Sequence, residues 1–364
     1  MASKPRSIFE DVSDVAKPIA APGGIDAGGK GARAAIRVWL MALFALVVVL
    51  ICVGGLTRLT DSGLSITEWK PLSGSIPPMD AAAWDAEFVA YQQIPEYIEQ
   101  NAGMSLEEFK VIYWWEWGHR QLARFIGLVW AVGFAWFYLR KQIPVGWSGR
   151  LLLVGALGGT QAAVGWWMVS SGLEHDRVDV SQYRLATHLG LAFIVLGLLF
   201  WTWRDQRDGW KRFGSKRVLA KSSMLLAGLV YLQLLSGAFV AGTHSGKSYN
   251  TWPLMDGGLM PSGYGAREPF WRNLFENPAA IQFNHRTLAY VILVVALWVA
   301  WRSTRAQRPA IIMLLVLLFW QVGLGVWTLL AVAPLSLSLL HQFSSILVFL
   351  AGMNVLWRSR NTVK

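Results

Sequence analysis

The sequence predicts an all-α integral membrane protein with eight transmembrane helices arranged as two pseudo-symmetric four-helix bundles. Three observations carry this expectation. Hydrophobic residues make up 54% of the 364-residue chain, with 21 tryptophans. Apolar runs of roughly 18–25 residues, the length a helix needs to cross a bilayer, recur along it. An internal repeat has its two copies four such runs apart. The net charge is +11, yet the Lys and Arg fall in short segments between the apolar runs. That pattern describes topology and not a nucleic-acid footprint.

Residues 1–35 are rich in Ala, Gly, Pro and charge, with no apolar stretch ahead of the first span, and read as a disordered cytoplasmic tail. Spans 1 to 8 follow at about 36–56, 112–139, 150–171, 185–203, 221–242, 283–301, 309–330 and 336–356. An even number of spans returns both termini to one side, where 22 of the 33 Lys and Arg lie, so both termini are expected in the cytoplasm of a bacterial inner membrane, or on the matching side of a mitochondrial one. The N-terminal half covers 36–203, a cytoplasmic linker 204–220, the C-terminal half 221–357 and a short cytoplasmic tail 358–364. Two long loops lie on the outer face, at 57–111 and 243–282. The first is acidic and long enough to hold short helices near 81–93 and 105–112. The single cysteine, Cys52, excludes an intramolecular disulfide or a thiolate metal cluster.

A shift of 183 residues aligns Ser62-Gly63 with Ser245-Gly246, Ser65 with Ser248, Trp69 with Trp252, Gly74 with Gly257 and Pro78 with Pro261. His119-Arg120 then matches His285-Arg286, each opening an even-numbered span, and His188 in span 4 answers His341 in span 8. His175 stands in a short outer loop and His244 aligns with Asp61, so neither has a histidine counterpart. Ionisable groups inside spans are costly and mark function, and two facing imidazoles in a helical bundle make a bis-axial pair for haem iron. Without a carboxylate cluster or cysteines beside them, zinc or di-iron sites fit less well. The expected iron ligands are His119 with His188 and His285 with His341, one pair per half; the alternative, a pairing across the halves, would leave the repeat unused. Arg120 and Arg286, each one position after a ligand, are read either as partners of haem propionates or as side chains reaching lipid headgroups.

The halves differ at one position of this pattern. Three residues before His119, close to the same helix face, stands Glu116; the matching position before His285 is Gln282. A carboxylate acts as a base or stabilises developing positive charge, and an amide of the same shape does neither well. This makes the first half the candidate for chemistry, with Glu116 as catalytic residue; the alternative is a carboxylate that only complements the helix dipole. Trp114, Trp115, Trp117, Trp166 and Trp167 suit an interfacial belt. The glycines of "VGALGGTQAAVGWW" and "FWQVGLGVW" suit close helix packing. "GKSYNTW" lacks the spacing and strand of a phosphate loop.

Taken together, "GGLTRLTDSGLSITEWKPLSGSIPP", "IYWWEWGHRQLARFIG", "YRLATHLG", "FNHRTLAY" and "LLHQFSS" resemble the haem A synthase family, in particular its mitochondrial and alphaproteobacterial branch, over about 36–357. The resemblance implies a membrane oxidoreductase for cytochrome oxidase assembly that oxidises the C8 methyl of haem O to a formyl group in two steps, giving haem A. It implies substrate haem at His119 and His188, haem b at His285 and His341, and an essential carboxylate at Glu116. Partners so implied are haem O as substrate, a haem O synthase and an electron donor, quinol or ferredoxin. Some relatives carry an outer-loop cysteine pair that this chain lacks. Two other readings use the same histidines: a diheme cytochrome b-type electron carrier, and a non-enzymatic haem carrier.

Overall fold

A computed structural model describes residues 30–173, 177–208 and 217–360. His175, most of the expected N-terminal tail, the middle of the linker and the last four residues lie outside the described residues. Among the described residues there is no strand, and eight helices are long and apolar enough to cross a membrane. They are Lys30–Leu59, Leu106–Leu139, Ser148–Leu173, Gln182–Asp208, Arg217–Gly242, Pro278–Arg302, Arg308–Leu330 and Leu335–Arg360, spans 1 to 8 in order.

All eight coincide with the expected spans, and most run further at one or both ends. Span 1 begins within the expected tail because Ala32, Arg33, Ala34 and Ala35 favour helix although they are not lipid-like. Span 4 continues through Arg204 and Arg207 for the same reason and takes up part of the expected linker. Span 2 begins at Leu106, where Ser105 and Glu108 close a reciprocal capping box, so the short helix expected near 105–112 is its first turns. Span 6 opens on Asn277, whose side chain caps Ala279 N at 3.0 Å, with Pro278 as first helical residue. Left-handed residues end spans 1, 2 and 5: Asp61 (φ 48°), Lys141 (φ 54°) and His244 (φ 51°).

The neighbour pattern repeats. Span 1 packs on spans 2 and 4, and span 3 on spans 2 and 4; span 5 packs on spans 6 and 8, and span 7 on spans 6 and 8. The two sets meet where span 4 touches spans 5 and 8 and where span 1 touches span 8. Spans 4 and 8 are accordingly the most buried, and spans 2 and 3 the least. Indole N–H groups stitch neighbours together: Trp39 donates to Val129 O across Gly133, and Trp130 to Leu151 O across Gly155, each at 3.0 Å. At the end away from the long loops, buried Asp205 of span 4 accepts from Trp357 Nε1 (2.9 Å, span 8) and Arg150 (2.8 Å, span 3).

Between spans 1 and 2 the loop folds on itself. Ala81–Tyr91, capped by Asp80, packs on the first turns of span 2, and Pro95–Gln100 packs on span 3. Tyr91, Ile94, Phe109 and Tyr113 form its apolar core with Leu64 and Ile66, the rings of Tyr91 and Phe109 meeting at 5.2 Å. Glu96 is buried beside that core, within 3.4 Å of the Tyr91 hydroxyl. Burial, then the neighbouring Asp61, Asp179 and Glu116 carboxylates, push its own carboxyl up to about 8.

A raised carboxyl stabilises the fold only while protonated. Its contribution is full below about 4.5, the ordinary value, declines as pH rises and is gone above about 8. The hydrogen-exchange protection of 81–100 in detergent, taken relative to the intrinsic exchange rate at each pH, is expected to fall across that window and to be nearly flat in Glu96→Gln; an unchanged pH profile of protection in the variant would refute this.

Candidate functional site

The four symmetric histidines stand on the four even-numbered spans, and each abuts a glycine of the preceding span. A Cβ built on Gly54 would lie 2.8 Å from His119 Cε1, on Gly165 2.9 Å from His188, on Gly325 3.0 Å from His341 and on Gly237 3.4 Å from His285. The first three distances leave no room for a side chain, so the helix backbone itself is the wall behind each ring. Gly165 and Gly325, expected as packing glycines, pack against imidazoles. Within each half the two histidines lie in electrostatic reach of one another, His188 of His119 and His341 of His285.

Three of the four glycines follow a glutamine by four residues, one helical turn. Gln161 donates to His188 O (2.9 Å), Gln233 to His285 O (3.0 Å) and Gln321 to His341 O (3.0 Å). Each amide nitrogen also lies within 3.4 Å of a ring nitrogen of the same histidine. Sequence reading passed over these glutamines; the spacing Gln-x-x-x-Gly ahead of a span-borne histidine is the signal that carries them. His285 has a further contact, Ser236 Oγ to Nδ1 at 3.2 Å. The Nδ1 atoms of His119 and His188 are buried without a partner.

Glu116 and Gln282 fix the loops to the helices. Glu116 is buried: its Oε2 accepts from Ser65 Oγ (2.7 Å) and Ile66 N (2.8 Å), and its Oε1 pairs with the Arg120 guanidinium. Arg120 also donates to Ile66 O (2.9 Å) and Glu68 O (3.2 Å). In the second half Gln282 Nε2 donates to Ser245 O and Ser248 O, both at 2.6 Å, while Arg286 donates to Gln282 Oε1, Tyr249 O and Thr251 O. The clamp is the same but its polarity is reversed: one loop turns donors toward a carboxylate, the other turns carbonyls toward an amide. Loop carbonyls, which neither sequence reading of Arg120 and Arg286 included, accept two hydrogen bonds from each guanidinium. Arg124 adds a third such anchor through Lys70 O (2.9 Å) and Pro71 O (3.1 Å). Trp166 lies under the Arg120 guanidinium at 5.6 Å and stacks on Trp69, whereas Trp114, Trp115 and Trp167 are exposed.

The two unpaired histidines of the sequence pattern part company. His175 is outside the described residues, and His244 meets Asp61, its match in the repeat, together with Asp179, the ligating atoms of the three lying within 4.8 Å of one another. Arg58 already fills this group, reaching Asp61 at 2.8 Å, Asp179 at 3.2 Å, His244 Nε2 at 2.9 Å and Ala241 O at 3.2 Å. Burial alone would raise the Asp179 carboxyl, but the His244 hydrogen bond and the Arg58 charge hold it below its ordinary range.

Paired imidazoles without carboxylates beside them, two with orphaned ring nitrogens and each backed by a glycine, fit ligation of a haem iron in either half. Known proteins agree with such a cofactor class. The family of cytochrome oxidase assembly proteins, COX15-CtaA, matches residues 37–353. Proteins named heme A synthase are similar over nearly the whole chain. The one from Dinoroseobacter shibae is 51% identical over 99% of this chain and 97% of its own length. That from Ruegeria pomeroyi is 52% identical over 96% and 95%, and that from Paracoccus denitrificans 48% identical over 94% and 93%.

Arg58→Ala leaves the Asp61 and Asp179 carboxylates facing one another. It is expected to cost about 1–2 kcal/mol, discounted for partial exposure, read as a lower melting temperature in detergent at neutral pH. An unchanged melting temperature would show that the group contributes nothing.

Proposed function

The chain belongs to the COX15-CtaA family of cytochrome oxidase assembly proteins, and from that membership we propose that its two sets of four spans are the two working halves of a haem A synthase. It is a multi-pass membrane oxidoreductase that acts on haem O, oxidising the C8 methyl group to a formyl group through a hydroxymethyl and then a hydrated aldehyde that loses water. The first half, through His119 and His188, holds the substrate haem; the second, through His285 and His341, holds haem b. Haem b, when bound, supplies electron transfer, and what remains for the protein is orientation, charge and access. The long-loop face is the outer face of the inner membrane, and both termini are cytoplasmic. A haem O synthase delivers the substrate; dioxygen is the oxidant of both steps, one of its oxygen atoms going to the carbon and the other leaving as water with two electrons from a quinol or ferredoxin and two protons.

The observation that carries this reading is the contrast between Glu116 and Gln282 in otherwise matched clamps. Both Glu116 oxygens already accept hydrogen bonds, two from Ser65 and Ile66 and the rest from Arg120. With two donors on each oxygen, no acceptor position is left for an attacking water. The role of Glu116 is therefore to stabilise positive charge developing on the methyl carbon, from a position fixed before the substrate arrives. Arg120 and Arg286 serve first as loop anchors, and an N–H of the Arg120 guanidinium left over from the loop carbonyls serves a propionate.

The test is chromatography of haems extracted from the protein made in a host that produces haem O and no haem A, beside its Glu116→Gln variant. The wild type is expected to yield haem b with haem A or its hydroxymethyl precursor. The variant is expected to yield haem b with unmodified haem O, a loss of at least a hundredfold in conversion. Full conversion in the variant with both haems bound would end the role of Glu116, and haem b alone in both proteins would end the synthase reading.

A further inference from the structure

The polar surroundings of the four histidines are not equal, and the exception is His119. The shift of 183 residues that aligns the loops also aligns the ends of spans 1 and 5, so that Gly54 matches Gly237, Val53 matches Ser236 and Leu50 matches Gln233. In the second half Gln233 ties the backbone carbonyl of His285 and Ser236 touches its Nδ1. In the first half the same two positions are aliphatic, and among the described residues none offers His119 a hydrogen bond to its ring, its Nδ1 being buried and unpartnered. His188 and His341 keep their glutamines, Gln161 and Gln321. The backbone wall is retained at His119, with Gly54 as close as its counterparts, so the ring is placed but not held.

An acceptor for the far N–H of a metal-bound imidazole fixes its orientation and raises its basicity, and its loss typically lowers metal affinity ~10–100-fold; Ser236 Oγ can accept from His285 in this way, while the amide nitrogens of Gln161, Gln233 and Gln321 hold the helix turn of their histidines through the backbone carbonyl. A substrate haem must enter and its product must leave, whereas a resident haem stays. Building on the ligand assignment above, we propose that His119 is the exchangeable ligand of the substrate site. It lets go of the iron for haem exchange, while His188, His285 and His341 are held in place by their glutamines. Leu50 and Val53 are then the positioning residues that make the first half an exchange site, and Gln233 and Ser236 those that make the second half a resident one.

The experiment uses the full-length protein in detergent with its haems bound, mixed with excess apomyoglobin as haem acceptor. Haem remaining on the protein is extracted at intervals and identified by chromatography. From the wild type, haem O or haem A is expected to leave at least about ten times faster than haem b. Val53→Ser, smaller than the residue it replaces and so free of clashes, and Leu50→Gln with Val53→Ser are expected to slow first-half release about tenfold. Gln233→Leu with Ser236→Val is expected to speed haem b release by a similar factor. Equal release of the two haems from the wild type, or first-half release unchanged in both span 1 variants, overturns the proposal while leaving the ligand assignment standing. A wild-type protein from which no haem can be extracted overturns the assignment itself.

Discussion

A hydrogen-bonding side chain inside lipid has no water to turn to and must be satisfied by protein or by something the protein carries. The layout of this chain follows from that constraint. Trp39 and Trp130 spend their N–H groups on carbonyls of the next span, Asp205 is closed by Trp357 and Arg150, and three glutamines are spent on histidine carbonyls. Among the buried polar atoms without a partner in the described residues are the Nδ1 atoms of His119 and His188, both in the first half and each ring backed by a glycine of the preceding span.

The same constraint explains why the two loops can be alike in shape and opposite in charge. A buried carboxylate needs donors, and Ser65 Oγ, Ile66 N and Arg120 supply them; a buried amide needs acceptors for its N–H groups, and Ser245 O and Ser248 O supply those. Exchanging Glu116 and Gln282 between the halves would therefore require the loops to be exchanged as well. On the reading proposed above, reactivity in one half is a property of a loop and a helix together, since a buried carboxylate is tolerated only where the backbone has turned its donors inward.

Much of this was legible in the sequence. Eight spans, four histidines at matched positions and the Glu116–Gln282 difference all stand out because charge and imidazole are conspicuous in an apolar run, and a fixed shift sorts them. What was not legible depends on groups every residue owns. The partners of Arg120, Arg124 and Arg286 are largely backbone carbonyls, invisible to any reading by residue type. Gln161, Gln233 and Gln321 carry no charge, and glycine in a membrane helix has so common a meaning in packing that its place behind an imidazole passes unnoticed. The pairing of His244 with Asp61 was written in the alignment itself, but only the folded chain turns two aligned positions into neighbours.

That junction says something about how the chain can be put together. Arg58 touches the carbonyl of Ala241, and Asp61 stands beside His244; both pairs are 183 residues apart, the same shift that aligns the two long loops. Two identical first halves meeting in the same way would set aspartate against aspartate, and two identical second halves histidine against histidine with no arginine between them. Neither self-association reproduces the mixed group found here. That group needs one copy of each half, and a single polypeptide guarantees that unlike halves always meet.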